Sequence, residues 1–211
     1  MTEDLIDCYK DCEKLMPFLH LPIQSGSNKI LKLMNRKHNK EYYLSIIEKL
    51  KNINKDIKIS SDFIVGYPGE TESDFEATLE LVYCVTYAQA YSFKYSPRPG
   101  TPAALQENQV PGDVSADRLR RLQSILDQQK ISFNQGMVGR ELPVLVDRVG
   151  RRPGQLVGRS PYMQAVHLTG SKKLLGNTVK LRIKEAHTNS LSGLPLSPNE
   201  DRQPLPQDKV S

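Results

Sequence analysis

The sequence predicts an α/β protein built from two parts, and three observations support this. Segments with strand and helix patterns alternate over residues 1–137, which is typical of βα units around a parallel sheet. Over residues 138–193, short β-type runs are separated by glycine-containing turns, which predicts a small antiparallel β-barrel. Basic residues are concentrated in that second part. Residues 194–211 contain several prolines and few large apolar side chains, so we expect a disordered tail.

The elements of the first part follow from hydrophobic periodicity and turn residues. Three strands are predicted, at residues 18–23, 57–67 and 90–95. Apolar stripes at helical spacing precede the first strand and lie between the strands, and a long amphipathic helix is predicted over residues 115–133. Thr71 and Asp74 form a start signal for the helix after the second strand. After the third strand, prolines in residues 96–102 exclude regular structure and predict a shaped loop.

The second part is strongly basic. Between Arg140 and Glu185 there are ten lysines and arginines against three acidic residues, whereas the whole chain has a net charge of only +5. A concentration of this kind is typical of a protein part that contacts a polyanion, because each neutralised phosphate releases counterions. A solvated basic surface is the alternative. We favour contact with a nucleic acid.

The composition argues against secreted and membrane proteins. No run of eighteen or more apolar residues exists, and the first residues alternate in charge where a signal peptide needs an apolar stretch. We therefore expect a cytoplasmic protein. Three cysteines, Cys8, Cys12 and Cys84, are too few for a disulfide framework. Cys8 and Cys12 stand four apart on a predicted helix and could present two thiolates to a metal, but we expect all three thiols in the core and no metal site.

Polar, glycine-containing segments end the three predicted strands. Their sequences are HLPIQSGS at residues 20–27, DFIVGYPGET at 62–71 and FKYSPRPGT at 93–101. Together, and in this order, they closely resemble the fourth, fifth and sixth strand ends of the radical S-adenosylmethionine methylthiotransferases. The likeness continues through Gly158-Arg159-Ser160 and residues 187–191, which resemble the RNA-binding TRAM barrel that closes this family. It covers residues 1–193.

The resemblance implies both a fold and a function. The first part is expected to be the carboxy-terminal half of a radical-SAM partial (β/α) barrel, and the second part a TRAM-like barrel. The likeness is greatest to the branch that adds a methylthio group at C2 of N6-isopentenyl-adenosine, next to the anticodon of tRNA. The implied partner is tRNA, bound by a monomer that has no membrane partner. A stand-alone RNA-binding module without activity and the branch that modifies a ribosomal protein remain alternatives.

One feature of the family is absent from the sequence. Family members use S-adenosyl-L-methionine and have a Cys-x-x-x-Cys-x-x-Cys loop, whose three thiolates hold a 4Fe-4S cluster. Here the residue three positions after Cys12 is Leu15, so Cys8 and Cys12 imitate only the first half of that loop. We therefore expect the chain to be the carboxy-terminal portion of such an enzyme and to be inactive alone. No catalytic residue is predicted.

The resemblance also gives candidate contacts to S-adenosylmethionine, which are Gln24, Ser25, Gly26, Asp62, Ile64, Gly66 and Arg98. The first three offer an amide, a hydroxyl and close backbone approach to a ligand, although an ordinary turn explains them equally well. Ile64 and Gly66 offer a surface on which adenine could lie. Asp62 is either a ligand or a satisfied core residue. Arg98 can contact the cofactor carboxylate or an RNA phosphate, and the sequence does not choose between them.

Candidate RNA contacts lie in the basic barrel. Six side chains are predicted to reach phosphates, and they are Arg148, Arg151, Arg152, Arg159, Lys180 and Arg182. Tyr162 is a candidate surface for stacking with a base. His167 stands in an apolar run, where we expect a hydrogen-bonded structural histidine.

Overall fold

The structure of the protein is a computed structural model, which describes residues 1–196. Backbone contacts divide the chain into two compact units, Met1–Phe133 and a second unit that begins at Asn134. The sequence places this boundary a few residues later, after residue 137. Within residues 1–196, no helix combines the length and the apolar composition that crossing a membrane requires.

The first unit alternates helices and strands. Its elements in chain order are α1 (Glu3–Asp11), β1 (Phe18–His20), α2 (Asn28–Leu33), α3 (Lys40–Ile53), β2 (Lys58–Val65), α4 (Glu72–Val85), β3 (Gln89–Lys94) and α5 (Gly112–Gln135). The three strands are parallel, and β2 lies between β1 and β3. The register places His20 opposite Ser60 and Asp62 opposite Tyr91. The prediction of parallel βα units is confirmed.

The core of the first unit lies between the sheet and its helices. Side chains alternate between the two sides of a strand, and Ile59, Phe63 and Val65 of β2 are all buried on one side. Leu50 of α3 and Phe75 of α4 belong to the same apolar cluster. Burial of large apolar side chains such as these stabilises the unit by roughly 1.5–3 kcal/mol each.

The other side of the sheet is open. Asp62 and Ile64 of β2 are only half-buried, and their register partners on β3, Tyr91 and Phe93, are exposed. His20 of β1 lies on the same side, because its Nε2 is 3.6 Å from a carboxylate oxygen of Asp62. We call these five residues the open face. Parallel sheets are normally covered on both faces, so the open face is available to a ligand or to further protein.

The capping box predicted from the sequence fixes the amino terminus of α4. The Asp74 N–H donates to the Thr71 side chain, and the Asp74 carboxylate accepts from the Thr71 N–H at 2.9 Å. The same carboxylate accepts from Ser27 Oγ and Lys29 Nζ, both at 2.7 Å. Burial acts to raise the pKa of Asp74, but these hydrogen bonds outweigh it and hold that pKa well below its usual range.

Asp74→Asn is expected to lower the free energy of unfolding by about 2 kcal/mol at neutral pH, because hydrogen bonds to a charged group are lost. A carboxyl whose pKa is depressed on folding stabilises the fold above its unfolded pKa, and the contribution disappears as the pH falls toward the folded pKa. The wild type should therefore approach the variant in stability below about pH 4. Urea unfolding followed by circular dichroism measures this.

Glu80→Gln is the matched control for this prediction, since Glu80 is an exposed carboxylate on the same helix. It should change the unfolding free energy by less than about 0.5 kcal/mol at any pH. A loss in Asp74→Asn that is equally large at neutral and at acid pH would contradict the assigned role of the carboxylate.

The second unit is a closed barrel of five strands. They are β4 (Glu141–Val149), β5 (Gln155–Arg159), β6 (Ala165–Thr169), β7 (Thr178–Ala186) and β8 (Ser190–Pro195). Their order is β4-β5-β6-β8-β7, and β7 closes the ring on β4. The prediction of a small β-barrel is confirmed, but the prediction that it is antiparallel throughout is wrong, since β6 and β8 are parallel. A closed ring with an odd number of strands cannot alternate in direction at every step.

The predicted tail begins too early in the chain. Leu191 is fully buried, and Leu194 and Pro195 pair with β7, so the residues up to 195 belong to the barrel. Pro195 is tolerated because it is the last residue of its strand, where its missing N–H donor interrupts little of the ladder. The remainder of the predicted tail, residues 197–211, lies outside the described residues.

Candidate functional site

A cavity of about 650 Å³ lies at the carboxyl ends of β2 and β3. We call it the sheet cavity. Its lining includes Ile64, three aromatic rings and three cations, which are Tyr67, Phe93, Tyr95, Arg36, Lys94 and Arg98. Ligands of parallel α/β sheets usually bind at this end of the strands. Of the seven predicted cofactor contacts, the structure brings Ile64 and Arg98 together here.

Ser25 and Gly26 pack against α4 and do not line the sheet cavity. The Gly26 N–H donates to Thr78 Oγ1 at 2.9 Å, and the hydroxyl of the fully buried Ser25 lies 3.4 Å from the same oxygen. A Cβ on Gly26 would lie 2.3 Å from the carbonyl oxygen of Ala77. The close approach of the loop to α4 therefore requires the glycine. A cofactor role for Ser25 and Gly26 stays a prediction.

Gln24 continues the pairing of β1 beyond the end of that strand and has a strained backbone. Its φ of 80° lies in the left-handed region that favours glycine. The Gln24 N–H donates to the Asp62 carbonyl, and the Gln24 carbonyl accepts from the Ile64 N–H, both at 2.9 Å. These bonds hold the strained conformation against β2. Strain of this kind is concentrated at functional sites, so Gln24 remains a candidate although it does not line the sheet cavity.

Asp62 lies on the open face, outside the lining of the sheet cavity. Its partner is His20, whose Nδ1 is 2.9 Å from Ser60 Oγ and whose Nε2 is 3.6 Å from Asp62. The His20 ring also meets the Tyr91 ring edge-on, with centroids 6.4 Å apart. Asp62 is therefore a partly exposed residue with a histidine partner, and the alternative of a satisfied core residue is wrong.

Gly66 shapes the turn that follows β2. Its φ is +73°, and a Cβ there would lie 2.3 Å from Ser115 Oγ. The Gly66 N–H donates at 2.9 Å to the carboxylate of Glu70, and that carboxylate pairs with Arg118 of α5 at 2.8 Å. Burial raises the pKa of Glu70, against the lowering effects of the Gly66 N–H and Arg118. Gly66 is thus part of a buried polar turn, and its proposed contact with adenine stays a prediction.

A second cavity, of about 840 Å³, lies on the barrel. We call it the barrel groove. Its lining includes Arg148, Arg151, Arg152, His167 and His187. Arg151 and Arg152 lie on the turn between β4 and β5, and neither has an ion-pair partner within residues 1–196. Three of the six predicted phosphate contacts therefore meet in one place.

The pKa of His167 is affected by the positive charge of the barrel groove. Burial lowers the pKa of His167, and the neighbouring His187, Arg148 and Arg152 lower it further. His167 Nδ1 lies 3.4 Å from Gln155 Nε2, so a hydrogen bond is present as expected. Sequence reasoning missed that both histidines line the groove. The motif at residues 187–191 is the sequence signal that could have placed His187 at this site.

The other predicted phosphate contacts are paired with carboxylates. Lys180 and Arg182 lie 3.0 and 2.8 Å from the two carboxylate oxygens of Glu141. Arg159 Nε lies 3.5 Å from Asp147, and the Arg159 guanidinium also donates to the Met163 carbonyl at 3.2 Å. Their positive charge is partly neutralised, so these three side chains offer less to a phosphate than Arg151 and Arg152. Arg148 of the barrel groove is also paired, since its guanidinium lies 3.1 Å from the Asp147 carboxylate.

Tyr162 cannot stack with a base in this structure. The residue is only 5% exposed, and its N–H donates to Ser160 Oγ at 3.2 Å. The predicted stacking role of Tyr162 is therefore wrong.

Comparison with known proteins assigns both units. Residues 1–82 match the model of the Radical SAM superfamily, and residues 135–196 match the TRAM domain. Proteins named tRNA-2-methylthio-N(6)-dimethylallyladenosine synthase in Rickettsia prowazekii and Rickettsia felis are 55% and 54% identical to this chain over 194 residues, or 92% of it. The chain thus combines a Radical SAM match with a TRAM match, as its resemblance to the methylthiotransferases implies. It spans 44% of the length of these two relatives.

The cysteines of this chain do not fit a 4Fe-4S cluster. Cys8, Cys12 and Cys84 are all exposed, so the prediction that they lie in the core is wrong. Helix α1 ends at Asp11, before Cys12, and its buried residue is Ile6, whereas Leu5 is 52% exposed. Within residues 1–196, no three side chains of His, Cys, Asp or Glu converge to hold a metal. A cluster needs three such thiolates.

The fit of the sheet cavity to S-adenosylmethionine is partial. Ile64 gives the sheet cavity an apolar wall against which adenine could lie. The cofactor also has an ammonium and a sulfonium group, which need negative partners. The lining of the sheet cavity contains no carboxylate, and the nearby Asp62 is directed to His20.

Proposed function

We propose that the chain is part of a tRNA methylthiotransferase and that its barrel binds tRNA. The observation that supports this most strongly is the barrel groove, where Arg148, Arg151 and Arg152 meet in the unit that matches the TRAM domain. Phosphates are the complementary ligand for such a cluster, because each contact releases counterions. The names of the relatives specify tRNA as the substrate class, with a methylthio group added at dimethylallyladenosine.

We also propose that the three-stranded sheet is part of a partial (β/α) barrel of the radical-SAM type. The match of residues 1–82 to that superfamily supports this, together with the open face. In a barrel, helices cover the outside of the sheet while the inner side faces the ligand. The core of the first unit lies on the helical side, and Tyr91 and Phe93 are exposed on the other side, as this arrangement requires.

The chemistry proposed for this chain is substrate binding. The cysteines do not fit the cluster, so we assign no radical step to its residues. The arginines of the barrel groove would hold and orient tRNA through its phosphates, without reading sequence. If the chain acts as a stand-alone module, the same groove would give RNA binding without turnover. If it belongs to the protein-modifying branch, the groove would show no preference for RNA.

Replacing Arg151 and Arg152 together by alanine is expected to weaken tRNA binding about tenfold or more at low salt. Each lost phosphate contact should also flatten the slope of log affinity against log salt by about 0.7–0.9, so the pair should flatten it by about 1.5. Fluorescence anisotropy with labelled tRNA over a series of salt concentrations measures both quantities. Unrelated RNAs should weaken in parallel, because phosphate contacts do not read bases.

Lys180→Ala combined with Arg182→Ala is the matched control for charge. It removes the same two positive charges from the barrel, but both side chains pair with Glu141. We expect a change in slope of less than about half that of the groove variant. Equal effects of the two double variants would show that net charge alone determines binding, and unchanged binding in both would remove the barrel as the RNA-contacting part.

A further inference from the structure

The side chain of Gln155 connects three parts of the barrel groove. Gln155 is the first residue of β5, and its Oε1 accepts from the N–H groups of Arg151 at 3.1 Å and of Arg152 at 3.3 Å. Its Nε2 lies 3.4 Å from Nδ1 of His167 on β6. All four residues line the groove. One amide therefore joins the turn that carries the two arginines to a histidine on the next strand.

The turn packs directly on this amide, and the contacts fix which way the amide faces. The Gly150 N–H donates to the Gln155 carbonyl at 2.8 Å, and a Cβ on Gly150 would lie 2.5 Å from Gln155 Oε1. Backbone N–H groups can only donate, so the amide oxygen has to face Arg151 and Arg152. The amide NH₂ group then faces His167 and donates to Nδ1. The proton of the neutral His167 ring is therefore on Nε2.

His167 is held in its neutral form. Burial lowers its pKa most, the neighbouring His187 and arginines lower it further, and the amide that donates to Nδ1 also favours the neutral ring. The charged and titratable side chains that line the groove with it are Arg148, Arg151, Arg152, Glu185 and His187. Glu185 lies 3.8 Å from His187 Nε2. The His167 Nε2 has no hydrogen-bond acceptor within residues 1–196, so its N–H is available to a ligand of the groove.

We propose that Gln155 is a positioning residue of the barrel groove, which holds the turn with Arg151 and Arg152 and presents the His167 Nε2–H to a phosphate of the RNA. This inference rests on the proposed function and adds an uncharged contact to the arginines. A hydrogen bond to a charged phosphate oxygen is stronger than one between neutral groups. Salt dependence comes from counterions that cationic side chains release, so an uncharged donor adds affinity without adding to it.

His167→Ala is expected to weaken binding of labelled tRNA about fivefold or more at neutral pH and to leave the slope of log affinity against log salt unchanged within about 0.3. Replacing Arg151 and Arg152 flattens the same slope by about 1.5, so one series of fluorescence anisotropy titrations separates the two kinds of contact. His167→Gln should recover most of the lost affinity, because its amide is also an uncharged N–H donor.

Thr169→Ala is the matched control for these barrel variants. Thr169 lies opposite Gln155 in the pairing of β5 with β6, but it is exposed and does not line the groove. This variant should bind tRNA as the wild type does.

Gln155→Glu tests the positioning role directly. The new carboxylate can still accept from the Arg151 and Arg152 N–H groups, but it has no proton to donate to Nδ1, and its charge should raise the pKa of His167. Nitrogen NMR of the whole chain at about pH 7 should show a proton on Nε2 alone in the wild type. In Gln155→Glu, a larger fraction of the His167 rings should have protons on both nitrogens. A residue that only stabilises the turn would leave the ring unchanged.

Three results would overturn the proposal. They are a wild-type His167 ring with its proton on Nδ1, a ring that is the same in Gln155→Glu, and a His167→Ala variant that keeps its tRNA affinity. A salt slope that flattens in His167→Ala as it does in the arginine variant would also do so, since it would assign a charge to the ring. The proposed function fails separately, when the variant without Arg151 and Arg152 binds tRNA as the wild type does.

Discussion

Gly26→Ala is expected to lower the free energy of unfolding of the first unit by about 3 kcal/mol. The new Cβ would lie 2.3 Å from the Ala77 carbonyl oxygen and 2.6 Å from the Thr78 Cα, and both are backbone atoms of α4 that cannot rotate away. The loop would have to move off the helix, which would break the bond from the Gly26 N–H to Thr78 Oγ1. Urea unfolding followed by the helical circular dichroism signal measures the loss, since the described second unit is mainly β-structure.

Gly112→Ala is the matched control for Gly26→Ala. Gly112 is the first residue of α5, and a Cβ there meets nothing within 4 Å. This substitution should leave stability unchanged or raise it by up to about 1 kcal/mol, because it restricts the unfolded chain. Equal stability of Gly26→Ala and Gly112→Ala would show that packing against α4 does not require a glycine at position 26. The prediction that Gly26 allows close approach of a ligand would then be favoured.

The parallel sheet could be predicted because its signals are local. Three apolar runs, each bounded by turn residues, alternate with helical stripes, and Thr71 with Asp74 marks a helix start within four residues of sequence. Hydrophobic periodicity and capping depend on neighbours along the chain. The same reasoning predicted a small β-barrel in the second part of the chain.

The missed features depend on partners that are distant in sequence. β8 contains Ser190 and ends at Pro195, so it lacks a strong strand pattern, and the buried Leu191 belongs to the barrel only through its pairing with β6 and β7. Tyr162 follows a proline in a turn, which predicts exposure, yet it is buried. Cys84 lies on a helix with a strong apolar stripe but faces outward.

The candidate sites show the same limit. The count of basic residues located the RNA-binding part, but it could not separate Arg151, which has no ion-pair partner in the described residues, from Arg182, which faces Glu141 across the β4–β7 pair. Arg36 and Lys94 were not recognised as members of one cavity with Arg98, because the cavity depends on the packing of loops after two strands. Strand-end motifs predict where a ligand site lies, and only tertiary structure determines its charge.

Arg118→Met is expected to lower the free energy of unfolding of the first unit by about 3–5 kcal/mol at neutral pH. The Arg118 side chain is 6% exposed, and its partner Glu70 is 1% exposed. Arg118 Nη1 donates to the Glu70 carboxylate at 2.8 Å and to the Glu70 carbonyl at 3.2 Å. Methionine fills a similar space, so the loss comes mainly from leaving a buried carboxylate without its cation.

The pH dependence separates this cause from a simple packing defect. Burial raises the pKa of Glu70 while Arg118 opposes the rise, so removing Arg118 should raise that pKa further. A carboxyl with a raised folded pKa favours the fold at low pH, and stability falls as the pH rises from the unfolded pKa through the folded one. The loss in Arg118→Met should therefore be smaller at about pH 5 than at about pH 8. Adding Glu70→Gln removes the buried charge and should restore part of the stability at the higher pH while abolishing the pH dependence.

Because the Glu70 carboxylate also accepts from the Gly66 N–H, the turn beside the sheet cavity should loosen together with this ion pair. Faster hydrogen exchange at Gly66 in Arg118→Met would show that coupling, whereas a loss of stability that is equal at both pH values would assign the effect to packing alone.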